Sequence, residues 1–291
     1  MPLCNSLAVI HNQGDLFVFM ERRQYQVNKL KVEIYPDSEA CGHAAAQAAA
    51  DAMRELANTR KTLAVVFATG VSQLNTLRML VSQEDLPWSR IAGFHLDEYV
   101  GIDVNHRASF RRYLREHLTS RVPLGAFFEI DGNAHDLEGF CRKYAERLRE
   151  FNPQLCLLGV GENGHLAFND PGEADFADPK AMRVAQLDAV CRQQQVSEGW
   201  FPSLDEVPER ALTLTIPTVM RIPKLIASAP GKRKAEIVKR TLQDCISERC
   251  PATILRNHPD ATLFLDDASA ALLYGDGGVL PRSVTGRESC A

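Results

Sequence analysis

QLCLLGVGENGHLAFNDPG, residues 154–172, decides how the rest of the chain is read. Residues 155–160 form a short unbroken apolar run, the pattern of a strand buried on both faces of a parallel sheet rather than one with a wet side. The run ends in glycine. Gly159, Gly161 and Gly164 let the backbone bend and come close to a neighbour, and within the same turn stand Glu162, Asn163, His165, Asn169 and Asp170. An α/β sheet keeps its chemistry in such loops, beyond the carboxyl ends of its strands. Alone, the segment also fits a plainer reading, a hydrogen-bonded core histidine on a glycine turn.

A second segment of the same grammar weighs against the plainer reading. Residues 90–101, RIAGFHLDEYVG, are again an apolar strand running into chemistry, here the adjacent carboxylates Asp97 and Glu98 followed by a glycine. With its DEYVG loop and its GxGxxGHxAFN-acid-Pro loop, the chain resembles the glucosamine-6-phosphate deaminase family, sugar-phosphate isomerases that open an amino sugar, isomerise it and release ammonia. The resemblance covers about residues 29–275, which divides the chain into an N-terminal extension (1–28), one α/β domain (29–275) and a C-terminal tail (276–291).

Composition is that of a globular protein. Of 291 residues, 45% are hydrophobic and 24% charged, ordinary for a folded soluble domain. The formal net charge of −4 argues against a nucleic-acid surface, though it leaves room for a local phosphate pocket. Eight cysteines include no C-x-x-C pair and no histidines at ligand spacing, so no metal site is expected and most read as small hydrophobes in a reducing, cytoplasmic setting. No segment reaches the roughly 20 apolar residues of a membrane span, and no membrane partner is expected.

Along the chain, residues 1–28 show no element, and KLKVEIY (29–35) alternates as a half-exposed strand at or near a sheet edge. Asp37 or Ser38 caps an alanine-rich helix through Leu56. The apolar run at 62–68 is a buried strand delivering the chain into Thr69, Gly70, Val71 and Ser72 before a helix at 73–81. Such a turn offers N–H groups and a positive helix end to an anion. Residues 105–118 read as a loop entering a basic amphipathic helix whose Arg107, Arg111, Arg112 and Arg115 form a solvated face. After a strand at 127–130 and a helix at 135–151, the segment 171–202 is polar and turn-rich, the composition of a lid. Strands return at 211–217 and 221–229, and Gly231, Lys232, Arg233 and Lys234 open another helix aimed at the same sheet edge. The last strands are placed at 252–255 and 261–265. The fold expected is a single-domain doubly wound α/β fold, its sheet mostly parallel with helices on both faces.

Turning an amino-aldose phosphate into a ketose needs a grip on the phosphate, a group that moves a proton from the anomeric hydroxyl to the ring oxygen, and a base for carbon 2. Thr69, Gly70 and Ser72 supply donors to an anion, Arg192 a fork and Lys234 a point charge; the resemblance implies that the arginine and lysine contact phosphate. His165 suits ring opening, since its unperturbed pKa is near 6.5. The resemblance surrounds that histidine with two acids, but here Asn163 stands in for Asp and Asp170 for Glu. Asn163 is expected to accept a hydrogen bond from the ring, and Asp170, one methylene shorter, to reach it less well. Asp97 is the expected base, with Glu98 structural, because neighbours on an extended segment point opposite ways. This scheme calls for no metal and no cofactor. The partner it implies is a small amino-sugar phosphate, and a homo-oligomer stays compatible with it.

The activity implied by the resemblance is conversion of glucosamine 6-phosphate and water to fructose 6-phosphate and ammonia. The alternatives are the galactosamine epimer, the 6-phosphogluconolactonase branch of the fold, and a non-catalytic sugar-phosphate sensor that has lost its acid–base set. Allosteric members bind an acetylated amino-sugar phosphate through two serines just after the acid-Pro pair; here Glu173 and Ala174 hold those positions. A carboxylate repels a phosphate dianion and alanine offers it no hydroxyl, so no such effector response is expected.

Overall fold

The computed structural model describes residues 4–10 and 18–274, and the tail expected at 276–291 lies outside the described residues. The first described strands are β1 (Cys4–Ile10) and β2 (Val18–Val27), an antiparallel hairpin whose second strand runs antiparallel to β3 (Leu30–Tyr35). The described residues before position 29, in a stretch expected to carry no element, thus extend the sheet. β3 is interior rather than near an edge, and Leu30, Val32 and Ile34 are fully buried. Local alternation reveals a strand; it does not reveal what pairs with its far side.

Asp37 caps α1 (Ser38–Thr59), its carboxylate accepting the Glu39 and Ala40 N–H groups at 2.9 and 2.8 Å. The chain continues through β4 (Leu63–Phe67), α2 (Val71–Val81), β5 (Ile91–His95), β6 (Asp97–Tyr99), α3 (Phe110–Leu114), β7 (Ala126–Phe128) and α4 (Leu137–Phe151). Then come β8 (Leu155–Gly159), β9 (Met182–Gln186), α5 (Ala189–Ser197), β10 (Arg210–Leu214), α6 (Ile216–Met220), β11 (Lys224–Ser228), α7 (Ala235–Gln243) and β12 (Ala261–Asp266). Among the described residues the main sheet has nine strands in the order β1-β2-β3-β12-β11-β8-β4-β5-β7, and every neighbouring pair from β3 onward is parallel.

The unbroken apolar runs are explained by layers on both faces. Leu63, Val65, Phe67, Leu155 and Leu157 pack with Ala45 and Met53 of α1 and Leu77 and Leu80 of α2. The alternate residues Ala64, Val66, Cys156 and Leu158 pack the other way, with Tyr144 and Leu148 of α4 and Ile237 and Val238 of α7. Cys41, Cys141, Cys156, Cys191 and Cys250 are buried free thiols among these apolar groups. From β4 the chain builds outward through β5 and β7, then returns to lay β8 on β4's other flank and builds away through β11 and β12. The loops after β4 and β8 therefore diverge, and a crevice opens at their carboxyl ends, where doubly wound sheets bind ligands.

A second sheet crosses this edge. The chain leaves the main sheet at His95 and, one residue later, enters a three-stranded antiparallel sheet of order β6-β10-β9, with Asp97 opposite Thr213. The phenol of Tyr144 holds the point of departure: it accepts the His95 N–H at 2.9 Å and lies 2.8 and 3.0 Å from the His95 and Phe128 carbonyl oxygens. Residues 252–255, expected as a strand, belong instead to a 3-10 helix, Pro251–Asn257. Pro251 at its start favours that turn, since proline fixes φ and has no N–H to donate to a ladder.

Tyr144→Phe should cost about 1–3 kcal/mol, because the buried groups at the end of β5 lose their common partner. Urea unfolding of parent and variant measures it; equal midpoints at equal slope would show that the hydroxyl does not hold the junction.

Candidate active site

A cavity of about 400 Å³ occupies the crevice, walled by residues 69–72 after β4, Asp97 after β5, residues 159–161 and His165 after β8, residues 230–234 after β11, and Gln194, Gln195 and Glu198 in and after α5. The four loops all follow strands of the main sheet, so the sheet's topology gathers them. Thr69, Gly70, Ser72, Asp97, His165 and Lys234 share this cavity.

At the anion end, Gly70 adopts φ 93°, a backbone that side chains resist, and caps α2 without a side-chain bond. Val71 sits there without strain, because it is already the first residue of α2 and only position 70 of this turn has positive φ. With no capping side chain, Val71 and Ser72 at the start of α2 line the cavity and offer it their N–H groups, while the Gln73 N–H goes to the Gly70 carbonyl at 3.0 Å. Tyr113 donates its hydroxyl proton to the Gly70 carbonyl at 3.0 Å and fixes the turn from behind.

Asp97 and Glu98 part company as adjacent residues of a strand must. Glu98 is fully buried and accepts from the N–H groups of Tyr99, Phe110 and Arg111, the Ser109 hydroxyl and Arg111 Nε. It pins β6 to the start of α3. Arg111, expected on a solvated face, is 7% exposed and bridges Glu98 (3.3 Å) and Asp131 (2.8 Å); a buried carboxylate drew it inward. Asp97 faces the cavity, is 6% exposed, and among the described residues has no side-chain hydrogen bond or ion pair. Burial, with Glu98 beside it, holds its carboxyl well above the usual aspartate range.

Beyond β8, the His165 ring lies against the backbone of Gly161, where a methyl group would sit 2.2 Å from it. Its Nδ1 is 3.0 Å from Asp170 Oδ1. The shorter acid reaches after all, and Asp170 rather than Asn163 is the ring's partner. Asn163 turns its oxygen to the backbone N–H of His165 (3.0 Å), closing a local turn, and donates its amide to Asp170 Oδ1 (3.0 Å) and Asp188 Oδ2 (2.9 Å). Burial pushes the Asp170 carboxyl up, but the His165 ring beside it, with bonds from Asn163 and the Asp188 N–H (3.0 Å), more than offsets this and holds it below its ordinary value.

Lys234 is buried at the cavity wall, and burial lowers its proton affinity while Glu198 and Glu162 partly restore it. Arg192, the other cation singled out for phosphate, is not brought to the cavity wall. It donates to the Leu204 carbonyl at 2.7 Å and lies 3.9 Å from Glu209. Sequence reasoning passed over Asp188, which caps α5 by accepting the Cys191 N–H at 2.6 Å and also holds Asn163; an aspartate three residues before that N–H is the signal that marks such a cap. His165, Asp170 and Cys191 bring donor atoms within 4.8 Å of one another. Burial, then the Asp170 and Asp188 carboxylates, push the Cys191 thiol well up, so a cation there would first have to displace its proton.

Comparison with known proteins follows the same lines. Residues 36–264 match the family described as glucosamine-6-phosphate isomerases/6-phosphogluconolactonase. A glucosamine-6-phosphate deaminase of Ligilactobacillus salivarius (strain UCC118) is 34% identical over 207 residues, 71% of this chain and 86% of that protein. One from Bacillus thuringiensis (strain Al Hakam) is 33% identical over 228 residues, 78% of this chain and 84% of the relative. Among solved structures, a monomeric glucosamine-6-phosphate deaminase superposes with TM-score 0.76 at 32% identity, covering 83% of this chain and 99% of that one. A 6-phosphogluconolactonase of Thermotoga maritima shares the fold, with TM-score 0.67 at 22% identity over 82% of this chain and all (100%) of its own.

Asn163→Asp should destabilise the protein at pH 7, because it exchanges two donated hydrogen bonds for a third carboxylate between Asp170 and Asp188, a loss of about 1–3 kcal/mol or more. The added group's pKa in the fold is raised, so the loss is full well above pH 4 and fades as the pH falls toward the unfolded value near 3.9. Thermal melts at pH 7 and pH 4.5 check it; a variant as stable as the parent at both would mean that Asn163 does not bridge the two acids.

Proposed function

The chain belongs to the glucosamine-6-phosphate isomerase/6-phosphogluconolactonase family, and on that premise we propose that it converts glucosamine 6-phosphate and water to fructose 6-phosphate and ammonia. The observation that carries the reading is that a buried unpaired carboxyl, Asp97, and His165, backed by Asp170, face one cavity with Lys234 and the start of α2. The phosphate binds the α2 start and Lys234. With Nδ1 engaged by Asp170, His165 offers Nε2 to move the anomeric proton to the ring oxygen, and Asp170 stabilises the imidazolium formed on the way. In the open chain Asp97 takes the proton from carbon 2, giving an enolamine, and a proton delivered to carbon 1 yields the carbon-2 iminium. Water adds to that carbon and ammonia leaves. A carboxyl of raised proton affinity is a better base than an ordinary aspartate, provided it is ionised when substrate arrives.

Reading the protein as a non-catalytic sensor needs a broken acid–base set, and Asp170 at 3.0 Å from His165 supports an intact one. The effector response is also unsupported: Glu173 is engaged by Arg183 at 3.0 Å and Ala174 is buried. Initial rates should therefore follow a hyperbola in substrate, with no change on adding N-acetylglucosamine 6-phosphate. A sigmoidal curve that this ligand straightened would contradict the reading of that loop.

Ammonia release from glucosamine 6-phosphate, with the galacto epimer and 6-phosphogluconolactone run in parallel, tests the activity. The gluco substrate should be preferred; lactone hydrolysis without ammonia from either amino sugar would overturn the proposal. Asp97→Asn should lower turnover by about a hundred- to ten-thousand-fold, the usual worth of a general base, while sugar-phosphate binding persists. The same change should raise the melting temperature at pH 7, since ionising a desolvated carboxyl opposes folding, and the gain should vanish below the unfolded pKa near 3.9.

A further inference from the structure

The site described so far has one buried cation for a phosphate dianion, and the arginine singled out from sequence is occupied elsewhere. Arg192 donates to Leu204 and lies near Glu209, outside the cavity wall. A different guanidinium already stands inside it. Gly231, at φ 98°, turns the chain after β11 into the 3-10 helix Lys232–Lys234, and all three cations of that turn line the cavity. Arg233 Nε lies 3.4 Å from Glu162 Oε1, a residue of the loop that carries His165. The Arg233 side chain is 52% exposed, and Glu162 Oε1, though itself buried, makes no hydrogen bond among the described residues, so the contact is loose and holds the guanidinium weakly. Such a pair can exchange. A phosphate accepts the two parallel bonds of a guanidinium and brings more charge than one carboxylate.

We propose that Arg233 is the guanidinium that grips the substrate phosphate, leaving Glu162 for the phosphate oxygens when substrate binds. The proposal rests on reading the cavity as a sugar-phosphate site. The exchange joins the loops after β8 and β11, because Glu162 is Arg233's partner before binding and Lys234, the next residue along, is the buried cation of the same turn. It also reaches α5. The Glu162 N–H donates to Gln194 Oε1 at 2.9 Å, and Gln194 Nε2 donates to Glu198 at 2.7 Å, so a released Glu162 side chain hangs from a backbone that α5 still holds. Glu162 then acts as a competitor for the anion subsite, built into the loop that performs ring opening.

The test uses the full chain and two probes, inorganic phosphate at equilibrium and glucosamine 6-phosphate in steady state. Arg233→Ala should raise the phosphate Kd and the substrate KM about tenfold or more with kcat within about threefold, since the grip is the same in ground and transition states. Arg233→Lys should recover part of the loss, keeping the charge and losing the fork. Glu162→Gln should tighten phosphate binding, which a merely structural pair would not do. The proposal fails if Arg233→Ala leaves the phosphate Kd unchanged, if Arg192→Ala costs more than Arg233→Ala, or if Glu162→Gln weakens binding. The two probes separate the questions: phosphate binding that depends on Arg233 in a chain that releases no ammonia overturns the activity alone, and ammonia release with an unaltered KM in Arg233→Ala overturns this proposal alone.

Discussion

The step from β5 to β6, made in the single residue Leu96, is the constraint on which the site depends. A strand that continued in the main sheet would carry Asp97 out between its neighbours; one that turns into the second sheet sets it over the crevice. The Tyr144 hydroxyl holds the near side of the step by its contacts with His95 and Phe128. Glu98 holds the far side through the start of α3 and the buried Arg111. Between these two fastenings the strand's alternation has one outcome, Glu98 into the scaffold and Asp97 into the cavity. The second sheet then covers Asp97, and burial without a partner raises its proton affinity.

The His165 side of the crevice shows the complementary solution. Asp170, behind that histidine, is as buried as Asp97, yet two donated hydrogen bonds and the nearby ring hold its carboxyl below its ordinary value. Two carboxyls, Asp97 on the cavity and Asp170 behind the histidine that lines it, are thus driven apart in proton affinity, one by desolvation and one by hydrogen bonding, the usual arrangement where one site runs both acid and base steps. Asn163 belongs to this separation. Being neutral, it supplies N–H groups to both Asp170 and Asp188, where an acid would add a repelling charge. What looks in the sequence like a weakened acid set is a different division of labour, with Asp170 alone facing the imidazole.

The parallel sheet was legible because burial on both faces writes itself into local composition: the runs ending at Phe67, His95 and Gly159 are apolar without a break, and each delivers glycine, hydroxyl or acid at its end. What sequence could not show were contacts between distant segments. The β1–β2 hairpin that covers β3 was hidden, as was the second sheet that recruits residues 97–99, 182–186 and 210–214 from three places in the chain. Arg111 looked like one of four solvated arginines, and only the proximity of Glu98 and Asp131 distinguishes it. The roles of the two residues flanking His165 were interchanged for the same reason. Asn163 satisfies the backbone N–H two residues on, a local bond that outcompetes the ring, while Asp170 folds back across the intervening turn.

Desolvation in this crevice, rather than any ion pair, sets the proton affinity of Asp97. A carbon-13 NMR titration of aspartate-labelled protein, with Asp97→Asn used to assign the resonance, measures it directly. A carboxyl resonance that titrates well above the ordinary aspartate range, and disappears from the variant's spectrum, is the predicted result. A midpoint for Asp97 at or below the ordinary value near 3.9 would contradict the account.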